Sequence, residues 1–148
     1  MAGLDAGLIY NEFPMMGDGI IPPTKELFNP YYTRTSNPST LSLVCHNIGE
    51  NPVLAQFEHR ILAVTTFTLT SLAWIYAIRR PLPTPVKRGM HSVMGFAILQ
   101  VALGISTLIY LVPTHLAVTH QAGSLALLTA VLVLVGRLRA PALSRLVR

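Results

Sequence analysis

The chain reads as an all-α integral membrane protein: three transmembrane helices, an incomplete four-helix bundle, behind a long outer N-terminal loop. Three observations point there. Of its 148 residues, 51% are hydrophobic and only 11% charged, against about 25% charged in soluble domains. Three apolar runs, about 61–78, 90–112 and 116–135, hold no charged residue, with histidine counted as neutral. A hydrocarbon layer of ~30 Å takes roughly 17–25 helical residues to cross. Finally, the net charge of +5 is unevenly spread. All six acidic residues lie within positions 1–58, where Lys25 and Arg34 alone offset them, and the 90 residues beyond carry nine bases and no acid.

That asymmetry sets a topology. Arg79, Arg80, Lys87 and Arg88 lie between the first two runs, and Arg137, Arg139, Arg145 and Arg148 follow the third. Positive residues stay on the side from which a chain is inserted. The 79–90 loop and the basic tail 137–148 are therefore expected inside, with residues 1–58 and the 112–118 turn outside. Each basic cluster abuts a span, so membrane lipid is the expected partner and nucleic acid is not.

The elements follow in order. Residues 1–58 carry the turn formers Gly17-Asp18-Gly19, Pro22-Pro23, Asn29-Pro30 and Asn37-Pro38-Ser39, and read as an extended loop. Tyr10, Phe13, Phe28, Tyr31 and Tyr32 are spaced through it as candidate headgroup anchors. Cys45-His46 hints at a metal, but as the single cysteine beside one histidine it reads as solvated loop. A short helix is expected about Leu41–Ile48. Asn51-Pro52 reads as a helix start, because proline suits the first helical position. That helix should run through Gln56, His59 and the whole first span. Pro81, Pro83 and Pro85 break the inner loop. In the second span, Gln100 should face the bundle, and Gly104 admits a close helix or a flat ligand. The third opens on Ala122-Gly123-Ser124, one turn from His120.

The histidines carry the chemistry. His46 lies in the loop and His91 at the inner edge of the second span. His115, in the outer turn, sits off the His120 face by about 140° at ~100° per residue, facing a haem propionate or plain solvent. His59 and His120 differ from these. Both head apolar spans from the outer side, on helices that cross in the same direction, so they lie at matching depth. An ionisable side chain there is a functional-site hypothesis. Two such imidazoles can bind one haem iron from both faces; two interfacial histidines are the alternative. Arg60, beside His59, is a candidate partner for a propionate, or an interfacial anchor. A zinc site wants three or four close ligands, which the spacing does not supply.

At these residues the sequence resembles the C-terminal half of the haem A synthase family, which serves cytochrome oxidase assembly. The matching runs are Ala2-Gly3-Leu4-Asp5-Ala6-Gly7 with Tyr10-Asn11, Phe13-Pro14, Met16-Gly17, Glu50-Asn51-Pro52 and Gln56-Phe57-Glu58-His59-Arg60-Ile61-Leu62. Two more are Gln100-Val101-Ala102-Leu103-Gly104-Ile105-Ser106-Thr107 and Thr119-His120-Gln121-Ala122-Gly123-Ser124, running on to Leu128. The resemblance implies two tandem four-helix bundles with a histidine pair in each. It implies an oxidoreductase that converts the C8 methyl of haem O to the formyl group of haem A. His59 and His120 then correspond to the axial ligands of a permanent haem b, within a haem-binding region 59–136. The family's other half has a glutamate three residues before its histidine. Here that position is Gln56, and an amide does not exchange a proton in this range, so no catalytic residue is expected in this chain.

The same resemblance implies five further spans upstream, with haem O and haem A handled there, so this chain alone is expected to be inactive. Haem O synthase, oxidase assembly factors and a second copy are the expected partners. The mitochondrial inner membrane is expected before a bacterial plasma membrane. Two other readings stay open: a stand-alone transmembrane b-type electron-transfer cytochrome, and a non-catalytic membrane assembly protein.

Overall fold

Asn51 ends one helix and starts the next. Its side-chain Oδ1 accepts from the backbone N–H groups of Val53 (2.9 Å) and Leu54 (3.3 Å), the groups a helix start leaves unpaired. Pro52 follows as the first helical residue. The computed structural model describes residues 4–33, 35 and 37–146, with side chains to Arg139. Ala2, Gly3, Arg34 and Arg148, and the side chain of Arg145, lie outside the described residues.

The helices are α1 (Thr24–Leu27), α2 (Thr40–Glu50), α3 (Pro52–Ile78), α4 (Thr84–Ile109) and α5 (Thr114–Leu146), with short 3-10 turns at Ala6–Leu8 and Pro30–Thr33. No strand occurs among the described residues. The all-α expectation therefore holds, and so does the unbroken helix from Pro52 through His59. Helix α2 matches the segment expected about 41–48, with Ser39 Oγ accepting from Ser42 N–H at 3.3 Å as its cap.

Three helices are long and apolar enough to cross a membrane: Pro52–Ile78, Thr84–Ile109 and Thr114–Arg139. Their apolar side chains stay largely uncovered by protein; Leu62 is 64%, Val64 63% and Leu69 61% exposed. Such surfaces in a ~30 Å stretch belong against lipid. The second helix starts six residues earlier than the apolar run at 90, because Pro85 falls in its first turn. There proline's missing N–H costs nothing, and Pro83 O receives the N–H groups of Val86 (3.0 Å) and Lys87 (3.2 Å). Charge at Lys87 and Arg88 hides that turn from a hydropathy reading.

The chain divides into two compact units. One comprises residues 1–63 with 105–113. Here the expected extended loop is instead a folded layer. Its centre is polar: Asn47 and Asn51 are fully buried. Asn51 Nδ2 donates to Glu26 O (2.7 Å), Leu27 O (3.2 Å) and Asn47 Oδ1 (2.8 Å). Asn47 Oδ1 also accepts from Asn29 N–H at 3.0 Å, while its Nδ2 donates to Asn29 O (3.2 Å) and Leu43 O (2.8 Å). A satisfied polar network of this kind rigidifies a layer that has little apolar core. The end of α4 closes into the same unit. Leu111 and Val112 take left-handed φ values of 61° and 56°, which branched and bulky side chains rarely adopt. The Val112 N–H donates to Thr107 O at 2.8 Å, and Val112 packs where a Cβ on Gly7 would stand, 2.8 Å from Cγ2.

The other unit comprises 64–104 with 114–148. Its core is Ala77, Val86, Met90, Val93 and Leu134, flanked by Trp74, Leu82, Leu127, Ala130 and Val131. Helices α3 and α4 are tied by Trp74 Nε1 donating to His91 Nδ1 at 3.0 Å and by Ser71 Oγ lying 3.9 Å from Met94 Sδ. Arg137 Nη1 donates to Pro85 O at 3.0 Å, joining α5 to the start of α4.

Candidate functional site

Helices α4 and α5 run antiparallel and touch through glycines. A Cβ on Gly89 would lie 3.0 Å from Leu134 Cδ1; one on Gly123 would lie 2.0 Å from Gln100 Nε2; one on Gly104 would lie 3.1 Å from His120 Cε1. As numbers rise along α4, their partners' numbers fall along α5, so one register sets all three contacts. Each glycine admits a larger group from the facing helix. Toward the C-terminal end of α4 that group is the half-buried imidazole of His120. The close approach expected at Gly104 is therefore made by the histidine itself, and Gln100 faces the bundle as its place in the second span suggested.

His59 lies in the other unit, exposed on α3 one turn after Gln56. Arg60 follows it. Its Nη1 donates to Pro14 O (3.1 Å) and Met15 O (2.9 Å), and its Nη2 to Tyr10 O (3.3 Å) and Glu12 O (2.8 Å). The guanidinium also lies 5.9 Å from the centre of the Phe13 ring. Carbonyl dipoles aimed at one cation make a strong clamp. Arg60 thereby straps residues 10–15 to α3, and Nε is the one donor left for the propionate expected of it. Asn11 Nδ2 extends the strap, donating to Gly7 O (2.9 Å) and Leu108 O (3.1 Å).

The strap gives the aromatic residues of this region different jobs. Tyr10 is not a simple headgroup anchor, since its hydroxyl donates to Glu26. Phe13 sits by Arg60. Tyr31 and Tyr32 pack edge to face at 5.4 Å. His46 Nδ1 contacts Ser42 O at 2.8 Å, and Cys45 is an exposed free thiol. Among the described residues no three His, Cys, Asp or Glu side chains converge as metal ligands. Sequence reasoning missed the strap altogether. Its acceptors are backbone carbonyls, which carry no residue signature.

The family described as cytochrome oxidase assembly protein (COX15-CtaA) matches residues 1–132. The chain belongs to this family. Among its relatives in the cytochrome oxidase assembly family is "Heme A synthase COX15" of Homo sapiens, 46% identical over 139 residues, covering 94% of this chain and 31% of the relative. The "Heme A synthase-mitochondrial ferredoxin fusion protein" of Schizosaccharomyces pombe is 48% identical over 141 residues, covering 93% and 23%. A bacterial "Heme A synthase", from Nitrosospira multiformis, is 36% identical over 132 residues, covering 89% and 33%. The chain thus spans a third or less of the length of these relatives. No solved structure matches it significantly.

Proposed function

We propose that this chain is the haem b-holding, C-terminal half of a haem A synthase. The single observation that carries the reading is the seat of His120 on Gly104. A glycine there leaves the imidazole a place that any side chain would take up, which suits a ring that must hold one orientation. A neutral imidazole nitrogen is also the donor that haem iron takes. The names of the relatives support the pathway, and His59 is the second axial ligand by the matching motif Gln56-Phe57-Glu58-His59-Arg60.

The division of labour follows from residue chemistry. Turning a methyl group and one water into a formyl group releases four protons and four electrons. When bound, a bis-histidine haem supplies one-electron redox chemistry. This chain's own residues hold and orient: His59 and His120 as ligands, Gly104 as the seat of one, and Arg60 as the clamp on the strap beside the other. Gln56 cannot move a proton, so the oxidation belongs to the upstream half of the full-length relatives, where haem O is bound. The chain sits in the mitochondrial inner membrane with residues 1–58 in the intermembrane space. That placement rests on the eukaryotic relatives and on the bases at the inner ends of the spans.

The test is the reduced-minus-oxidised visible spectrum of the chain purified from membranes, alone and co-expressed with the upstream half of a relative. A sharp low-spin b-type band that disappears in His59→Ala and in His120→Ala supports the reading. A band that persists in both variants sinks it. Protease protection of residues 1–58 in mitoplasts tests the placement.

A further inference from the structure

Gln56 and Arg60 stand one turn apart on α3 and share one acceptor. Gln56 Nε2 donates to Tyr10 O at 2.8 Å, and Arg60 Nη2 donates to the same oxygen at 3.3 Å. That carbonyl fixes the orientation of the amide, because turning it over would set two oxygens face to face. Gln56 Oε1 must therefore point elsewhere. The side chain is 1% exposed, and Oε1 has no hydrogen-bond partner. Arg60 repeats the pattern with the opposite sign. Its Nη groups serve the strap carbonyls, while Nε is buried and lacks an acceptor. Buried polar atoms are nearly always paired, by protein or by ordered water.

An acceptor and a donor are thus left over on adjoining side chains fastened to one oxygen. Their complement is a single group that donates and accepts at once. A carboxylate would accept from Nε but would set its lone pairs against Oε1. An ammonium would donate to Oε1 but would be repelled by the guanidinium. An O–H group meets both demands, and the smallest such group is water.

We propose that Gln56 and Arg60 hold one resident water molecule beneath the Tyr10–Met15 strap, donating to Gln56 Oε1 and accepting from Arg60 Nε. Such a bridge is an ordinary part of a structure when polar groups would otherwise be stranded. It turns the strap into a closed polar unit: carbonyls on the Nη side of the guanidinium, water on the Nε side. It also occupies Nε, so an anionic group bound near His59 would meet the Arg60 charge through that water rather than directly. The site rests on the strap alone and does not depend on the haem reading.

The experiment is a density map of the full chain in lipid nanodiscs, at a resolution that shows waters, for the wild type and for Gln56→Leu. The expected wild-type map has one peak within hydrogen-bond distance of both Gln56 Oε1 and Arg60 Nε. In Gln56→Leu that peak is lost while Arg60 keeps its carbonyls. A wild-type map in which both atoms remain unpartnered, or bond each other directly, overturns the proposal. So does a peak touching only one of them. If Gln56→Leu does not fold, a nitrogen-15-edited NOE from Arg60 Nε–H in the wild type decides. A cross-peak at the water frequency with the sign of a long-lived water supports the site, and its absence removes it.

Discussion

The imidazole of His120 rests on Gly104, at a distance where a Cβ would fall 3.1 Å from Cε1. That is tighter than an ordinary van der Waals contact, so a methyl group at 104 must push the ring by a few tenths of an ångström. Gly104→Ala should leave the helices intact, since alanine favours a helix over glycine by roughly 1 kcal/mol. On the proposed ligation of haem by His120, the visible band should nonetheless broaden and its reduction potential shift, because the ring turns. Gly104→Val should abolish the band. An unchanged spectrum and potential in Gly104→Ala would mean that the seat does not orient His120.

Gly123 is the harsher position, with Gln100 Nε2 only 2.0 Å from where its Cβ would stand. Overpacking of this kind costs typically about 1–3 kcal/mol. Gly123→Ala should lower the melting temperature in detergent more than Gly104→Ala does. Because the clash is with one side chain, Gln100→Ala should restore most of the loss in the double variant. Additive losses would show that the two residues do not meet.

Much of this arrangement was legible in the sequence, and the reasons differ by element. The spans were readable because apolar runs and flanking bases are written in side chains. The start of α3 was readable from Asn51-Pro52, a cap and a first-turn proline. The start of α4 was not, because Lys87 and Arg88 occupy a helical turn that hydropathy assigns to a loop. The N-terminal layer was hidden for a different reason. Asn47 and Asn51 are buried by bonding to backbone groups of residues 26–29, and such partners leave no pattern along the chain. Arg60 illustrates the limit for sites. A cation next to His59 suggested an anionic partner, but the four carbonyls that the structure places on its Nη groups leave no signature in the sequence.

Trp74, the single tryptophan, reports on the packing of α3 against α4. Its indole N–H donates to His91 Nδ1 at 3.0 Å, with the rings edge to face at 5.9 Å. An indole only donates, so Nδ1 must be the unprotonated nitrogen of His91. His91→Phe keeps an aromatic edge but removes the acceptor. It should shift the tryptophan emission and lower stability by about 0.5–1.5 kcal/mol, the net worth of one hydrogen bond. The haem band should not change. An emission maximum identical to wild type would deny the contact.

Tyr10 offers a pH readout of the N-terminal layer outside the spans. Its hydroxyl donates to Glu26, and that bond holds the phenol protonated, pushing its pKa from an ordinary 10.0 up to about 12; burial and the negative charges of Glu26 and Asp18 push the same way. The folded state therefore binds this proton more tightly than the unfolded state. The stabilisation is full below about pH 10, where both states are protonated. It fades as pH rises through the window from 10 to 12, because the unfolded chain has already lost the proton and the folded one is losing it. The difference in tyrosinate absorbance between wild type and Tyr10→Phe should titrate near the top of that window. Glu26→Gln should bring the titration back toward the ordinary value, since a neutral amide no longer repels a phenolate and can turn its Nε2 to donate to it. It should also flatten the alkaline fall in melting temperature. A Tyr10 titration at the ordinary value in the wild type would show that the phenol and Glu26 do not pair.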